Sequence, residues 1–167
     1  DADILGGLDA FGATDVILKR QVGGGARAQV RYTRENLPPP GSVMDRPGMI
    51  QPLIPAIATE GEFSFLFIDG EFSHVVLKRP KSGDYRIQAA YGGVSQAITP
   101  APQDRAAAQR VLDVLDIKPL YARVDMVRGR KDLLLMELEV LEPYLFPADG
   151  PQIGPMLGAA LVRRLAG

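Results

Sequence analysis

The chain has 167 residues, 46% of them hydrophobic, with 19 basic and 20 acidic side chains; this suits one ordinary domain or two small lobes and not a disordered tail. The near-neutral balance, with a pI near 5.9, argues against a general nucleic-acid or membrane-surface binder, so neither partner is expected. There is no Cys and only one His, His74, which removes disulfides, thiolate metal sites and multi-histidine metal sites from consideration.

Residues 3–11 have the pattern of the tail of a helix. DVILKR (15–20) is a short apolar strand ending in two bases, QVGGGAR is a glycine-rich turn, and AQVRYT alternates like a half-exposed strand. ENLPPPGSVMDRPGM cannot be regular structure, because its prolines forbid helix and central strand alike; it is expected to cross between two lobes. MIQPLI (49–54) follows as a strand, then EFSFLFIDGEFSHVVLKRP (62–80) as a hairpin around Asp69-Gly70, a dipeptide suited to a tight primed turn. Pro102 opens a helix, PQDRAAAQRVLDVLD, with Ala108, Val111, Leu112 and Leu115 on one face. A second hairpin, RVDMVRGRKDLLLMELEVLEP (123–143), precedes a closing helix at 155–167. No run of about 18 apolar residues and no basic-then-apolar leader is visible, so a cytoplasmic location is expected. The chain starts at Asp1 within a helical pattern, and is expected to be part of a longer protein.

The second hairpin carries three acids among its apolar residues. Strict alternation puts Leu133, Leu135, Glu137 and Glu139 on one side of the strand and Leu134, Met136, Leu138 and Val140 on the other, with the two carboxylates about 7 Å apart. If the RGRKD turn pairs odd positions with odd, Asp125 joins them. Two unit charges about 4 Å apart repel by about 4 kcal/mol at an effective dielectric near 20. Such a cluster needs a counter-cation or a shared proton. With oxygen donors alone, the fitting ion is hard: Mg²⁺ or Mn²⁺. The other reading places the acids at a solvated sheet edge, paired with Arg123, Arg128 or Arg130.

Other segments carry weaker signals. Lys19 precedes Gly23, Gly24 and Gly25, a pattern that fits either an anion-covering loop or a flexible hairpin turn; it is neither GxGxxG nor GK[ST]. Arg79 and Arg86 flank KSGD, with Tyr91, Gly92 and Gly93 just after. They suit a phosphoryl group or a substrate carboxylate, or else are surface arginines. His74 on its alternating strand reads as a packed or edge histidine, and Phe63, Phe65, Phe67 and Phe72 read as core.

In this order the motifs resemble the ATP-grasp carboxylate–amine ligases, in the branch of prokaryotic glutathione synthetase and the ribosomal-modification ligases. Within that branch they resemble in particular the cyclo-ligases of cycloserine biosynthesis and their homologues. The resemblance runs from VILKR…GGGAR through IQPLIP and GEFSFLFIDGEFSHVVLKRPKSGDYRIQAAYGG to VDM…LLLMELEVLEP, nearly the whole chain. It implies an α+β fold: two lobes of mainly antiparallel sheet with flanking helices and nucleotide between them. The small lobe would be residues 1–48 and the large lobe 49–167, with a preceding N-terminal domain outside this chain.

Position by position, the resemblance assigns Lys19 to the ATP phosphates under Gly23, Gly24 and Gly25. It puts Gln51, Pro52, Leu53 and Ile54 at the adenine, with Gln51 and Leu53 offering backbone groups, and Glu60 or Glu62 at the ribose. Arg86 would meet the γ-phosphate or an acylphosphate, Asp125, Glu137 and Glu139 would bind magnesium or manganese, and Arg79, Tyr91, Gly92 and Gly93 would face substrate. Glu139 stands where this branch more often has Asn, adding negative charge that favours a second ion or Mn²⁺. The implied reaction activates a carboxylate as an acylphosphate for attack by an amine or related nitrogen, giving an amide, a peptide or a ring. The implied substrate is small and amino-acid-like, and the family's habit points to a homodimer. The isolated chain is expected to bind nucleotide weakly and not to turn over. Two other classes stay open: a non-catalytic ATP-binding module, and a metal-dependent nuclease in which Glu139 would replace the usual lysine.

Overall fold

The computed structural model describes residues 1–166. The chain divides into two compact units, Asp1–Pro55 and the remainder from Ala56.

The first unit is a three-stranded antiparallel sheet carrying one helix. Helix α1 (Ala2–Phe11) is stopped by Gly12 in a left-handed conformation (φ 55°), which glycine adopts without steric cost. Strands β1 (Asp15–Arg20), β2 (Val30–Thr33) and β3 (Gly48–Pro52) lie in the order β2-β1-β3. Ile4, Leu8 and Val16 form the small core, with Tyr32, Leu37 and Ile50 packed around it. The proline-rich segment does not leave this unit: it joins β2 to β3 of the same sheet. Because β3 pairs with β1 from Arg20↔Gly48 to Val16↔Pro52, the units divide at 55/56 and not at 48/49.

The second unit is built on a five-stranded antiparallel sheet, order β6-β5-β4-β7-β8. After the single turn α2 (Ala56–Thr59) come β4 (Glu62–Ile68) and β5 (Glu71–Arg79), joined at Asp69 (φ 50°) and Gly70 (φ 75°), the paired positive φ values of the expected primed turn. Strand β6 (Val94–Ile98), helix α3 (Pro102–Asp113), β7 (Tyr121–Arg128), β8 (Leu133–Glu139) and helix α4 (Ile153–Ala166) complete it. The short α2 and the edge strand β6 were not marked by periodicity. The closing helix was expected over 155–167; residue 167 lies outside the described residues. Among the described residues no helix is long and apolar enough to cross a membrane.

Alternation gives the sheet two different faces. One carries Phe63, Phe65, Phe67, Val75, Leu77, Val124 and Met126 against Ala107, Ala108 and Leu112 of α3. The other carries Leu66 and Ile68, covered by Ile153 and Ala160 of α4. Beside that apolar end, the same face holds Glu62, Ser64, Lys78, Arg123 and Asp125. Arg163, Arg164 and Lys118 all bind Asp69 at the β4–β5 turn, tying the end of α4 to the sheet.

The β7–β8 pairing differs from strict alternation. Its register slips by one between Asp125 and Met126, at Met136. Asp125 faces Glu137 and Arg123 faces Glu139, but Met126 faces Leu135 and Arg128 faces Leu133. Leu133 therefore packs in the core with Val124 and Met126, on the face opposite the acids it was expected to accompany. The bulge lets one strand turn Leu133 inward and its glutamates to the other side.

Phe65 is wholly buried, stacked on Phe63 with ring centroids 6.2 Å apart. Phe65→Ala should destabilise the second unit by about 3–5 kcal/mol, measured as the loss in its urea-unfolding free energy.

Candidate metal centre

Asp125, Glu137 and Glu139 each offer a carboxylate oxygen within 4.8 Å of the other two. The strand register makes this so: Asp125 and Glu137 are direct cross-strand partners, and Glu139 is opposite Arg123, two residues along on the same face.

Strands β4 and β5 complete the surroundings. Ser64 lies opposite Asp125 on β4, and its Oγ donates to Asp125 Oδ1 at 2.5 Å. Lys78 on β5 lies opposite Glu62; its Nζ is 2.6 Å from Glu62 Oε1 and 3.4 Å from Asp125 Oδ2. The Nε of Arg123 is 3.1 Å from both Asp125 oxygens, and its Nη2 reaches Glu139 Oε1 at 2.5 Å. Asp125 is 2% exposed, and Glu62 and Arg123 are also buried.

The electrostatics follow from this packing. Burial pushes Glu62 above the ordinary glutamate range, with Lys78 opposing it and Asp125 and Glu137 adding to it. Desolvation does the same to the carboxyl of Glu137, reinforced by Glu139 and Asp125. Burial disfavours charged Arg123, yet the carboxylates around it, Asp125 first, hold it above its usual value. Four carboxylates (Glu62, Asp125, Glu137, Glu139) face two cations (Lys78, Arg123). If all are ionised, two negative charges remain, the charge of one divalent cation. With oxygen donors only, the set suits a hard ion.

The acids converge and Arg123 bridges two of them, but Asp125 is buried, so the solvated-edge arrangement does not describe it. Arg128 does not take part; it binds Glu60 at 3.1 Å and Asp104 at 2.6 Å. Of the two ribose candidates, Glu60 is held by Arg128, and Glu62 sits in the acid cluster beside Lys78. Ser64 and Lys78 were not singled out from sequence, since only the β4–β5–β7 register brings them to Asp125.

The remaining candidates are placed as follows. Arg86 binds Asp84, with Nη2 to Oδ2 at 2.7 Å, and its guanidinium lies over the Tyr91 ring, 3.9 Å from the centroid. Arg79 reaches Gln96 at 3.4 Å. Gly92 takes a left-handed turn (φ 85°), and Gly93 is packed so tightly on the Ile87 carbonyl that a Cβ would not fit. His74 is buried, its Nδ1 2.9 Å from Ser73 Oγ, and burial lowers its pKa. In the first unit, Lys19 lies opposite Met49 and Ile17 opposite Gln51, Gly23, Gly24 and Gly25 are exposed, and Leu53 N–H donates to the Asp15 carbonyl at 3.0 Å. Pro52 ends β3, with Ile54 just beyond it.

No protein-family model matches the chain. A glutathione synthetase from Prochlorococcus marinus (strain MIT 9313) is 32% identical over 98 residues, 58% of this chain and 30% of that protein. Among solved structures, D-cycloserine synthetase DcsG superposes with a TM-score of 0.79 at 22% identity, over 98% of this chain and 60% of its own. D-alanine–D-alanine ligase from Bacillus anthracis gives 0.65 at 18% identity, over 98% and 60%. The ATP-grasp ligase PsnB, solved with a phosphomimetic variant of its minimal precursor, Mg and ADP, gives 0.65 at 18%, over 97% and 50%. The chain thus has the α+β fold of the ATP-grasp ligases, and spans 60% or less of the length of each of these proteins.

Burial raises the pKa of Glu137, so the fold favours its protonated form. A carboxyl whose folded pKa lies above its unfolded value contributes stability fully present below that unfolded value, and lost as pH rises through the folded one. In EDTA, Glu137→Gln should therefore be more stable than the native chain near neutral pH, and indistinguishable from it below the ordinary Glu value of 4.5. Urea unfolding across that pH range reads the difference.

Proposed function

We propose that this chain is the nucleotide- and metal-binding portion of an ATP-dependent carboxylate–amine ligase. The observation that carries the reading is the convergence of Asp125, Glu137 and Glu139 on one sheet face, in a fold shared with ATP-grasp ligases.

Asp125, Glu137 and Glu139 would hold Mg²⁺ or Mn²⁺. Ser64 and Arg123 orient Asp125 by donating to its oxygens, so that it enters coordination in a fixed pose. A divalent ion bound there supplies charge neutralisation for the nucleotide phosphates. Arg123 and Lys78 keep the acids compatible with a folded sheet before an ion arrives. Arg86 and Lys19 offset further phosphate charge. Gln51, Pro52, Leu53 and Ile54 take the adenine; since Leu53 N–H already donates to Asp15, the Leu53 carbonyl is its group left for adenine.

The reaction class is transfer of the γ-phosphoryl group of ATP to a carboxylate, releasing ADP and giving an acylphosphate, from which an amine or related nitrogen displaces phosphate to form a C–N bond. Such chemistry needs placement and charge stabilisation and no protein nucleophile, which accords with a chain without Cys. The substrate is a small amino-acid-like molecule. Peptide, modified tail and ring products are all compatible with these residues.

A thermal-shift assay with a non-hydrolysable ATP analogue and Mg²⁺ tests the reading. Ligand that binds only the folded state raises the midpoint, and a hundredfold excess over Kd stabilises by about 2.7 kcal/mol. The expected result is stabilisation that needs analogue and metal together and is lost in Glu137→Ala/Glu139→Ala. A response to DNA in place of nucleotide, or an undiminished response in the double variant, would refute it.

A further inference from the structure

We propose that Asp84 and Tyr91 are positioning residues for Arg86: together they clamp one edge and one face of its guanidinium and leave the outer edge open for an oxyanion, a phosphoryl group or a carboxylate. The assignment of that oxyanion to a ligase reaction rests on the reading above; the clamp itself does not.

The clamp is built from a short stretch of chain. Asp84 Oδ1 accepts from the backbone N–H groups of Tyr85 at 2.8 Å and Arg86 at 2.9 Å, which fixes the carboxylate against its own turn. That carboxylate then receives Arg86 side-on, Nε at 3.0 Å from Oδ1 and 3.2 Å from Oδ2, and Nη2 at 2.7 Å from Oδ2. Arg86 holds the Asp84 carboxyl far below the usual carboxylate range, so the pair is ionised at any ordinary assay pH.

Tyr91 supplies the face. Its position is set by a one-turn 3₁₀ helix, Ala89–Tyr91, closed by Tyr91 N–H to the Gln88 carbonyl at 2.9 Å, Gly92 N–H to Ala89 at 2.9 Å and Gly93 N–H to Gln88 at 3.2 Å. Gly92 provides the left-handed residue that ends the turn, and Gly93 lies where the Ile87 carbonyl leaves no room for a side chain. The two glycines therefore act by seating Tyr91 beneath Arg86.

A guanidinium carries five N–H donors in a planar fork. The side-on grip of Asp84 uses Nε–H and one hydrogen of Nη2. Both hydrogens of Nη1 and the second of Nη2 remain; one from each nitrogen forms the outer edge, and no acceptor among the described residues takes Nη1. An outer edge of two parallel N–H groups matches two oxygens of a phosphate or a carboxylate.

Two effects of Asp84 oppose each other, which makes the idea testable. Its charge cancels that of Arg86 and weakens attraction for an anion; its grip removes the motion that an unheld arginine would lose on binding. Inorganic phosphate is the probe, titrated against the native chain and followed by NMR at the backbone amides of residues 84–93 and at the Arg86 Nε–H, assigned by its loss in Arg86→Lys. Asp84→Asn is more positive by one charge, yet phosphate affinity should fall about fivefold or more if the clamp matters. Tyr91→Leu, which changes no charge, should fall likewise, and Tyr91→Phe should keep native affinity. The Nε–H signal should stay in place as phosphate binds. Unchanged or tighter binding by Asp84→Asn, displacement of the Nε–H signal, or no native response to phosphate would each overturn the proposal. Stabilisation by ATP analogue with Mg²⁺ alongside any of these would leave the ligase reading standing. The reverse pattern, a working clamp without nucleotide binding, would keep the anion site and remove the ligase.

Discussion

Mutual repulsion of carboxylates on one sheet face is the constraint around which the second unit is arranged. Asp125, Glu137 and Glu139 stand within 4.8 Å of one another at their ligand atoms, and Glu62 is buried beside them. Left alone such a group would oppose folding, because ionised acids in a low-dielectric place repel and cannot recover their lost hydration. Arg123 and Lys78 are the partial answer within the chain. Their positions are not incidental to the sheet: each comes from a strand that neighbours β4 and is directly paired with it, so the counter-charges are installed by the same register that brings the acids together.

That register depends in turn on the opposite face. Phenylalanines of β4 and aliphatic residues of β5 and β7 are fixed against α3, and a one-residue slip of a strand would exchange its apolar set with its polar one. Burial on the α3 side therefore locks the polar groups in place on the other. The bulge at Met136 is the exception that makes the arrangement possible. Without it, Leu133 and Leu135 would fall on the acid face. With it, β8 sends Leu133 to the core at one end and glutamates to the cluster at the other.

Much of this was legible in the chain. The Asp69-Gly70 turn, the phenylalanine strand, the helix opened by Pro102 and the three acids follow from local rules of turn geometry and alternation. What was not legible depends on pairing between distant segments. Ser64 and Asp125 are separated by 61 residues, and nothing in FSFLF marks that serine as the donor to a carboxylate on another strand. Lys78 was invisible for the same reason. A bulge is a choice made by packing, not by composition, so the faces of Leu133 and Leu135 were misread. Glu60 and Glu62, two residues apart, go to unrelated partners, Arg128 and Lys78. The division between units was displaced because an apolar strand such as MIQPLI does not announce which sheet it will join.

The arginines show how one residue type serves opposite ends here. Arg128 is consumed by structure: it joins Glu60 and Asp104 and lies over Phe63, tying α3 and the residue that follows α2 to β7. Arg123 is half committed, bridging two acids that a cation would also claim. Arg86 is held by a single acid and a ring with its outer edge left over. The difference lies in how many donors the surroundings take. A guanidinium whose fork is fully used can only hold a fold together, whereas one gripped along a single edge is both rigid and chemically unsatisfied, and that combination is what recognition of an oxyanion requires.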